Sequence, residues 1–211
     1  MNMMTNKEVG FADLLKNGQT LKQFGIEVRF VDPADPENFR RATDDCTRAY
    51  YAETLPNPKL EVFPIAEVAA IGRARGIPLI IDNTAAPLLV RPFDHGAAVV
   101  VYSSTKYLGG HGTSIGGIIV DGGNFDWAGH PDRQPALNTP DPSYHGAVWV
   151  EAARPLGPIA YVLKARTTLQ RDLGAKRLAG LAFQPQVADL QGFRQASHEA
   201  EPVVRQVQAQ F

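Results

Sequence analysis

Three uninterrupted apolar runs limit what this chain can fold into: Ile77–Ile81, Ala97–Tyr102 and Ile115–Val120. A strand with one wet face alternates polar and apolar residues; a continuous run suits a strand covered on both faces, as in a parallel sheet. Between and before the runs lie helical patterns. Pro64–Arg75 places Ile65, Val68, Ala69 and Ile71 at helical spacing, and Gly76 follows as a stop. Asp35-Pro36 is a helix start that predicts a helix to about Ala42. Ile26–Val31 and Ala49–Glu53 read as further strands, with Gly25 as a left-handed cap after Leu21–Phe24. Pro158–Leu173 reads as a helix ended by Gly174, and Ser197–Gln210 as an amphipathic one. Helices alternating with apolar strands give an α/β class with a mostly parallel sheet flanked by helices.

The 211 residues are enough for a sizeable core, and 44% hydrophobic with 20% charged residues is ordinary for a globular chain. A net charge of -1 offers no electrostatic reason to expect nucleic acid or an anionic membrane as partner. No apolar stretch reaches membrane-spanning length, and MNMMTNKEVGF lacks the apolar centre of a secretory signal. Cys46 is the single cysteine, read as a small buried thiol. These features point to a cytoplasmic protein. Gly122–Gly146, rich in Gly, Pro, Asn and Asp, reads as a long surface excursion on which Asp126, Asp132 and Asp141 are solvated. Trp127 and Trp149 read as packing or subunit-contact residues.

In α/β sheets ligands sit beyond the carboxyl ends of the strands. Glu53 and Asn57 follow one strand, Asp82 follows the next, and Ser103, Ser104, Thr105 and Lys106 follow another. Parallel neighbours would bring an anion, a cation and several hydroxyls to one place. That set suits a ligand with a basic nitrogen and a phosphate, such as pyridoxal phosphate (PLP). A lysine amine condenses with its aldehyde, a carboxylate keeps its pyridine nitrogen protonated, and hydroxyls hold its phosphate. A carboxylate about 4 Å from that nitrogen, at an effective dielectric near 20, supplies roughly 4 kcal/mol, about a thousandfold in protonation. Lys106, Asp82 and the pair Ser103 and Thr105 fit these three jobs. Taken singly, Asp82 is also a turn cap and Lys106 also a snorkelling surface lysine; the combination in this order carries the reading. Gly109-Gly110-His111-Gly112 matches no phosphate-loop pattern and reads as backbone space beside the lysine. His111 reads as a loop hydrogen-bonder, and His95, His130, His145 and His198 are too scattered to suggest a metal site.

DNTAAP at 82–87 and SSTKYLGGHG at 103–112 resemble the Cys/Met-metabolism family of PLP-dependent enzymes. AETLPNP at 52–58, DWAGHPDRQPALNTPDPSYHG at 126–146 and KARTTLQRDLG at 164–174 are similar to its O-acetylhomoserine sulfhydrylase branch. The resemblance spans roughly Leu21 to Gly174. It implies the large domain of the aspartate-aminotransferase-like fold, in part, over 21–174. Residues 1–20 are then an unassigned N-terminal segment and 175–211 an atypical, helical C-terminal tail. It implies that Lys106 carries the cofactor as a Schiff base and shuttles protons. By the same resemblance Asp82 pairs with the pyridine nitrogen, Ser103 and Thr105 bind phosphate, Asn57 lies near the ring hydroxyl and Thr84 against a ring face. The implied reaction replaces the acetate of O-acetyl-L-homoserine by sulfide or a thiol, giving homocysteine or methionine, in a homodimer or homotetramer. A γ- or β-lyase of the same family, or a folded remnant that only pairs with another subunit, are the rival readings. The family's glycine phosphate loop, its stacking tyrosine and its carboxylate-binding arginine have no match here, so weak PLP binding and little sulfhydrylase activity are expected of these residues by themselves.

Overall fold

The computed structural model describes residues 2–6, 19, 21–57, 59–173 and 181–183. Its centre is a sheet of β1 (Asn2–Asn6), β2 (Glu27–Val31), β3 (Thr47–Glu53), β4 (Leu79–Asp82), β5 (Val99–Ser103), β6 (Gly117–Asp121) and β7 (Leu181–Phe183). The order is β2-β1-β3-β4-β5-β6-β7. Neighbours run parallel except β5 and β6, which are antiparallel, with Ser103 opposite Gly117 and Val99 opposite Asp121. The expected α/β class with a mostly parallel sheet is what is found. The exception has a local cause: residues 104–116 turn the chain straight back without a crossover helix, which antiparallel pairing permits and parallel pairing does not.

Both faces of the sheet are covered, which is why its central strands are apolar throughout. On one face Tyr50, Ala52, Leu79, Ile81 and Val100 pack under α1 (Glu37–Ala42) and α2 (Ile65–Arg73), with Phe39 edge-on to Tyr50 at 5.3 Å. The four apolar positions expected to face the core from α2 are all buried, with Gly72 beside them, and Gly76 ends the unit at φ 67°. On the other face Val99 packs with Ile80, Val101 and Ile119 against Phe125, Trp127, Leu137, Tyr144 and Trp149. Each fully buried Val, Leu, Ile or Phe contributes about 1.5–3 kcal/mol.

Several expectations are corrected on this second face. The segment 122–146 is no free excursion: Phe125, Trp127, Leu137 and Tyr144 are buried. Their aromatic mass is worth more inside than the Gly/Pro-rich composition suggests. Trp127 stacks on Tyr161 with centroids 5.2 Å apart, and Trp149 is buried beside Tyr144, so both tryptophans pack. Asp141 is not solvated. Its Oδ2 accepts from Lys164 Nζ at 2.7 Å and Trp149 Nε1 at 2.9 Å, and its Oδ1 accepts from the Ser143 N–H. Cys46 is exposed, not buried. After α3 (Trp149–Ala153), the expected helix of 158–173 forms as α4 (Ala160–Lys164) and then widens to a π-type turn over Ala165–Leu173. The hydroxyls of Thr167 and Thr168 donate to the carbonyls of Leu163 and Lys164, competing with the helix ladder there. Gly174 and the expected helix Ser197–Gln210 lie outside the described residues. Among those described, no helix is long and apolar enough to cross a membrane.

Candidate active site

The parallel register places Glu53 beside Asp82 and Asp82 beside Val101. In-register neighbours share a face, and alternate residues along a strand share it too. Tyr51, Glu53, Asp82, Val101 and Ser103 therefore belong to one face, and the last residues of β3, β4 and β5 meet at one sheet edge. The ladder continues past the strands, with the Thr54 N–H on Asp82 O at 2.9 Å and the Asn83 N–H on Val101 O at 3.0 Å.

The Asp82-Asn83-Thr84 turn is a clip made of its own side chains. Asp82 Oδ1 accepts the Thr84 N–H at 2.9 Å. Asn83 is fully buried; its Oδ1 accepts from Thr54 Oγ1 at 2.8 Å and its Nδ2 donates to Val90 O at 3.0 Å. Thr84 Oγ1 accepts the Ser103 N–H at 2.7 Å, tying the turn after β4 to the end of β5. Asp82 Oδ2 accepts from the Tyr51 hydroxyl at 3.2 Å. Burial, and then the nearby Asp82 and Glu53 carboxylates, push the Tyr51 phenol upward, so it stays a donor. Asp82 is thus the turn cap of the modest reading, and two bonds still leave a carboxylate with lone pairs to offer.

Lys106 is exposed within the wide turn Ser104–Leu108, which it breaks with φ -93° and ψ -121°. Its ammonium makes no ion pair among the described residues. The turn is closed at its base: the Ser104 N–H donates to Gly116 O at 3.1 Å, and Thr105 Oγ1 accepts the Gly116 N–H at 3.0 Å. Gly109 is required there, since a Cβ would stand 2.4 Å from the Ser104 carbonyl oxygen. Of the glycines after the lysine, Gly109 alone gives backbone space; Gly110 and Gly112 face open space and adopt positive φ of 76° and 64°.

Of the residues singled out from sequence, the fold brings Asp82, Thr84, Ser103, Thr105 and Lys106 to one edge. Asn57 is exposed beyond β3, with no hydrogen bond to them among the described residues. Thr105 Oγ1 also donates to Gly116 O at 3.3 Å, so it reaches an outside anion only by exchanging that bond. Tyr51 and Asn83 were not foreseen. The signal for Tyr51 is its place two residues before Glu53, on the same face as Asp82. A group with a basic ring nitrogen, a phosphate and an aldehyde fits this donor set: a carboxylate with spare lone pairs, an unpaired amine, and the Ser103 and Ser104 hydroxyls beside it. A cleft of about 840 Å³ bounded by Asp44, Arg75, His130 and Arg133 lies at the opposite edge and shares none of these residues. Among the described residues no cluster of three His, Cys, Asp or Glu side chains is placed to hold a metal.

Residues 12–172 match the family described as Cys/Met metabolism PLP-dependent enzyme. The chain is 53% identical over 161 residues to an O-acetyl-L-homoserine sulfhydrylase of Leptospira meyeri, covering 74% of this chain and 36% of that protein. It is 45% identical over 157 residues to a homocysteine/cysteine synthase of Saccharomyces cerevisiae, covering 74% of this chain and 35% of that one. Among solved structures it is similar to an O-acetylhomoserine (thiol)-lyase of Campylobacter jejuni that carries a pyridoxyl-lysine phosphate residue. That match has a TM-score of 0.73 and 35% identity, and covers 82% of this chain and 43% of the other. The chain therefore spans about a third of the length of these curated relatives.

Proposed function

Because the chain belongs to the Cys/Met-metabolism family of PLP-dependent enzymes, we propose that Lys106 is its covalent cofactor anchor and that residues 21–174 are its cofactor-holding domain. The reaction proposed for the protein is γ-replacement: O-acetyl-L-homoserine and sulfide or a thiol give homocysteine or methionine, with acetate leaving. The substrates rest on the similarity to O-acetylhomoserine sulfhydrylases at 53% identity. The observation that carries the reading is the meeting of Asp82 with the Ser103–Lys106 segment at one carboxyl-terminal sheet edge.

Bound PLP supplies an electron sink for the substrate's α-carbon. The chain's own residues do the rest. Asp82, gripped from two sides, presents its remaining lone pairs to the ring nitrogen and keeps the proton there. Ser103 donates its hydroxyl to the phosphate, and Thr105 joins it by giving up its bond to Gly116. Thr84 would hold one face of the ring and Asn57 the ring hydroxyl. As a free amine, the Lys106 Nζ would take the substrate's α-proton and then a β-proton, whose loss lets the γ-acetate depart, and would return both after the sulfur nucleophile has added. A small amino acid is the partner this site implies, and assembly with further copies is part of the proposal.

Borohydride reduction after PLP is added, followed by peptide mapping, tests the anchor. A pyridoxyl label on Lys106 that disappears in Lys106→Ala supports the proposal. Labelling spread over surface lysines, or none, rejects it.

A further inference from the structure

Asp82 is held from a place that lies outside both of its motifs. Tyr51 sits on β3 in register with Ile80, and Glu53 in register with Asp82. Tyr51 and Asp82 are therefore diagonal neighbours on one face, a separation that an aromatic side chain spans. The Tyr51 hydroxyl donates to Asp82 Oδ2 at 3.2 Å while the Thr84 N–H donates to Oδ1 at 2.9 Å. With one donor a carboxylate can still swing about its last torsion; with a donor on each oxygen its plane is set. One of the two donors is backbone, fixed by the turn. The other is a half-buried phenol.

We propose that Tyr51 is a positioning residue, which fixes the plane of the Asp82 carboxylate so that its free lone pairs point to the cofactor's ring nitrogen. This rests on the reading of the site given above. The Tyr51 phenol is pushed upward by burial and by the Asp82 and Glu53 carboxylates, so it serves as donor throughout the working pH range. A phenylalanine at 51 keeps the ring and its packing and removes only the donor.

The test uses the full chain in two arms. In the cofactor-free protein, the ¹³C carboxyl signal of Asp82 is identified by its absence from Asp82→Asn. It is expected to move in Tyr51→Phe while the signals of Asp121 and Asp141 stay. In the second arm PLP is titrated. Tyr51→Phe is expected to weaken apparent PLP affinity roughly three- to tenfold, the net worth of one hydrogen bond. The same substitution on Asp82→Asn is expected to cost nothing further. An unmoved Asp82 signal, unchanged affinity in a parent that takes up PLP, or an equal loss on the Asp82→Asn background overturns the proposal. A parent that takes up no PLP overturns the reading of the site, and the Asp82 signal then still decides whether Tyr51 holds the carboxylate.

Discussion

The hydroxyl of Thr84 accepts the backbone N–H of Ser103 at 2.7 Å. This one bond couples the aspartate turn to the lysine segment, so the two halves of the site are positioned together. Thr84→Val keeps the shape and leaves the Ser103 N–H unsatisfied. A cost of about 1–3 kcal/mol in folding stability is expected, read as a lower urea midpoint. PLP affinity should fall with it.

Asp82→Asn is expected to be more damaging to the cofactor than to the fold. The amide keeps an acceptor for Thr84 but loses the charge that holds a proton on a ring nitrogen. Loss of a charge-assisted bond of about 1.5–3 kcal/mol corresponds to roughly 10- to 100-fold in PLP affinity. Fluorescence titration with PLP measures it, with circular dichroism to show the fold retained.

Asp121 closes β6 in full burial, and its Oδ2 has no hydrogen-bond partner among the described residues. Burial pushes its carboxyl up to about 6. The folded state then holds a proton that the unfolded chain has released, so stability falls as pH rises from about 4 to 6. The loss amounts to about 3 kcal/mol at most. Asp121→Asn should flatten that slope and raise the urea midpoint at pH 7 relative to the parent. A parallel pH dependence in the two proteins contradicts this.

Asp141 has the opposite sign. The Lys164 ammonium, with the Trp149 N–H, holds its carboxyl down to about 2. The stabilisation is complete above the ordinary carboxylate range and is lost as pH falls from about 4 to 2. In Asp141→Asn the acid limb of stability between these values should be shallower, while stability at neutral pH is lower. Thermal melts at pH 2.5, 4 and 7 separate the two effects.

The strand ends and the motif residues on them were legible in the sequence because burial on both faces leaves its mark as apolar runs. The stretch Leu79–Ile81 is of this kind, while the core positions Ile65 and Val68 showed through helical spacing. Strand direction leaves no such mark, so the reversal at β6 shows only in the register of Ser103 with Gly117. Composition misled at 122–146, because four buried aromatic and aliphatic side chains outweigh many Gly and Pro residues in deciding where a segment lies. Tyr51 and Asn83 stayed hidden for a different reason. Each acts through a partner on another segment, Tyr51 through Asp82 and Asn83 through Thr54, and no spacing within one segment reports such a contact.

The closed base of the lysine turn has a consequence for when order is acquired. Ser104 and Gly116 are joined at the ends of two adjacent strands, so the loop that bears Lys106 has both feet fixed before any ligand arrives. The entropy of placing the amine near the strand edge is then settled while the sheet forms, and little of it is left to be drawn from cofactor binding. Amide hydrogen exchange should show this as slow exchange at Ser104 and Gly116 around a fast-exchanging crest at His111–Gly112.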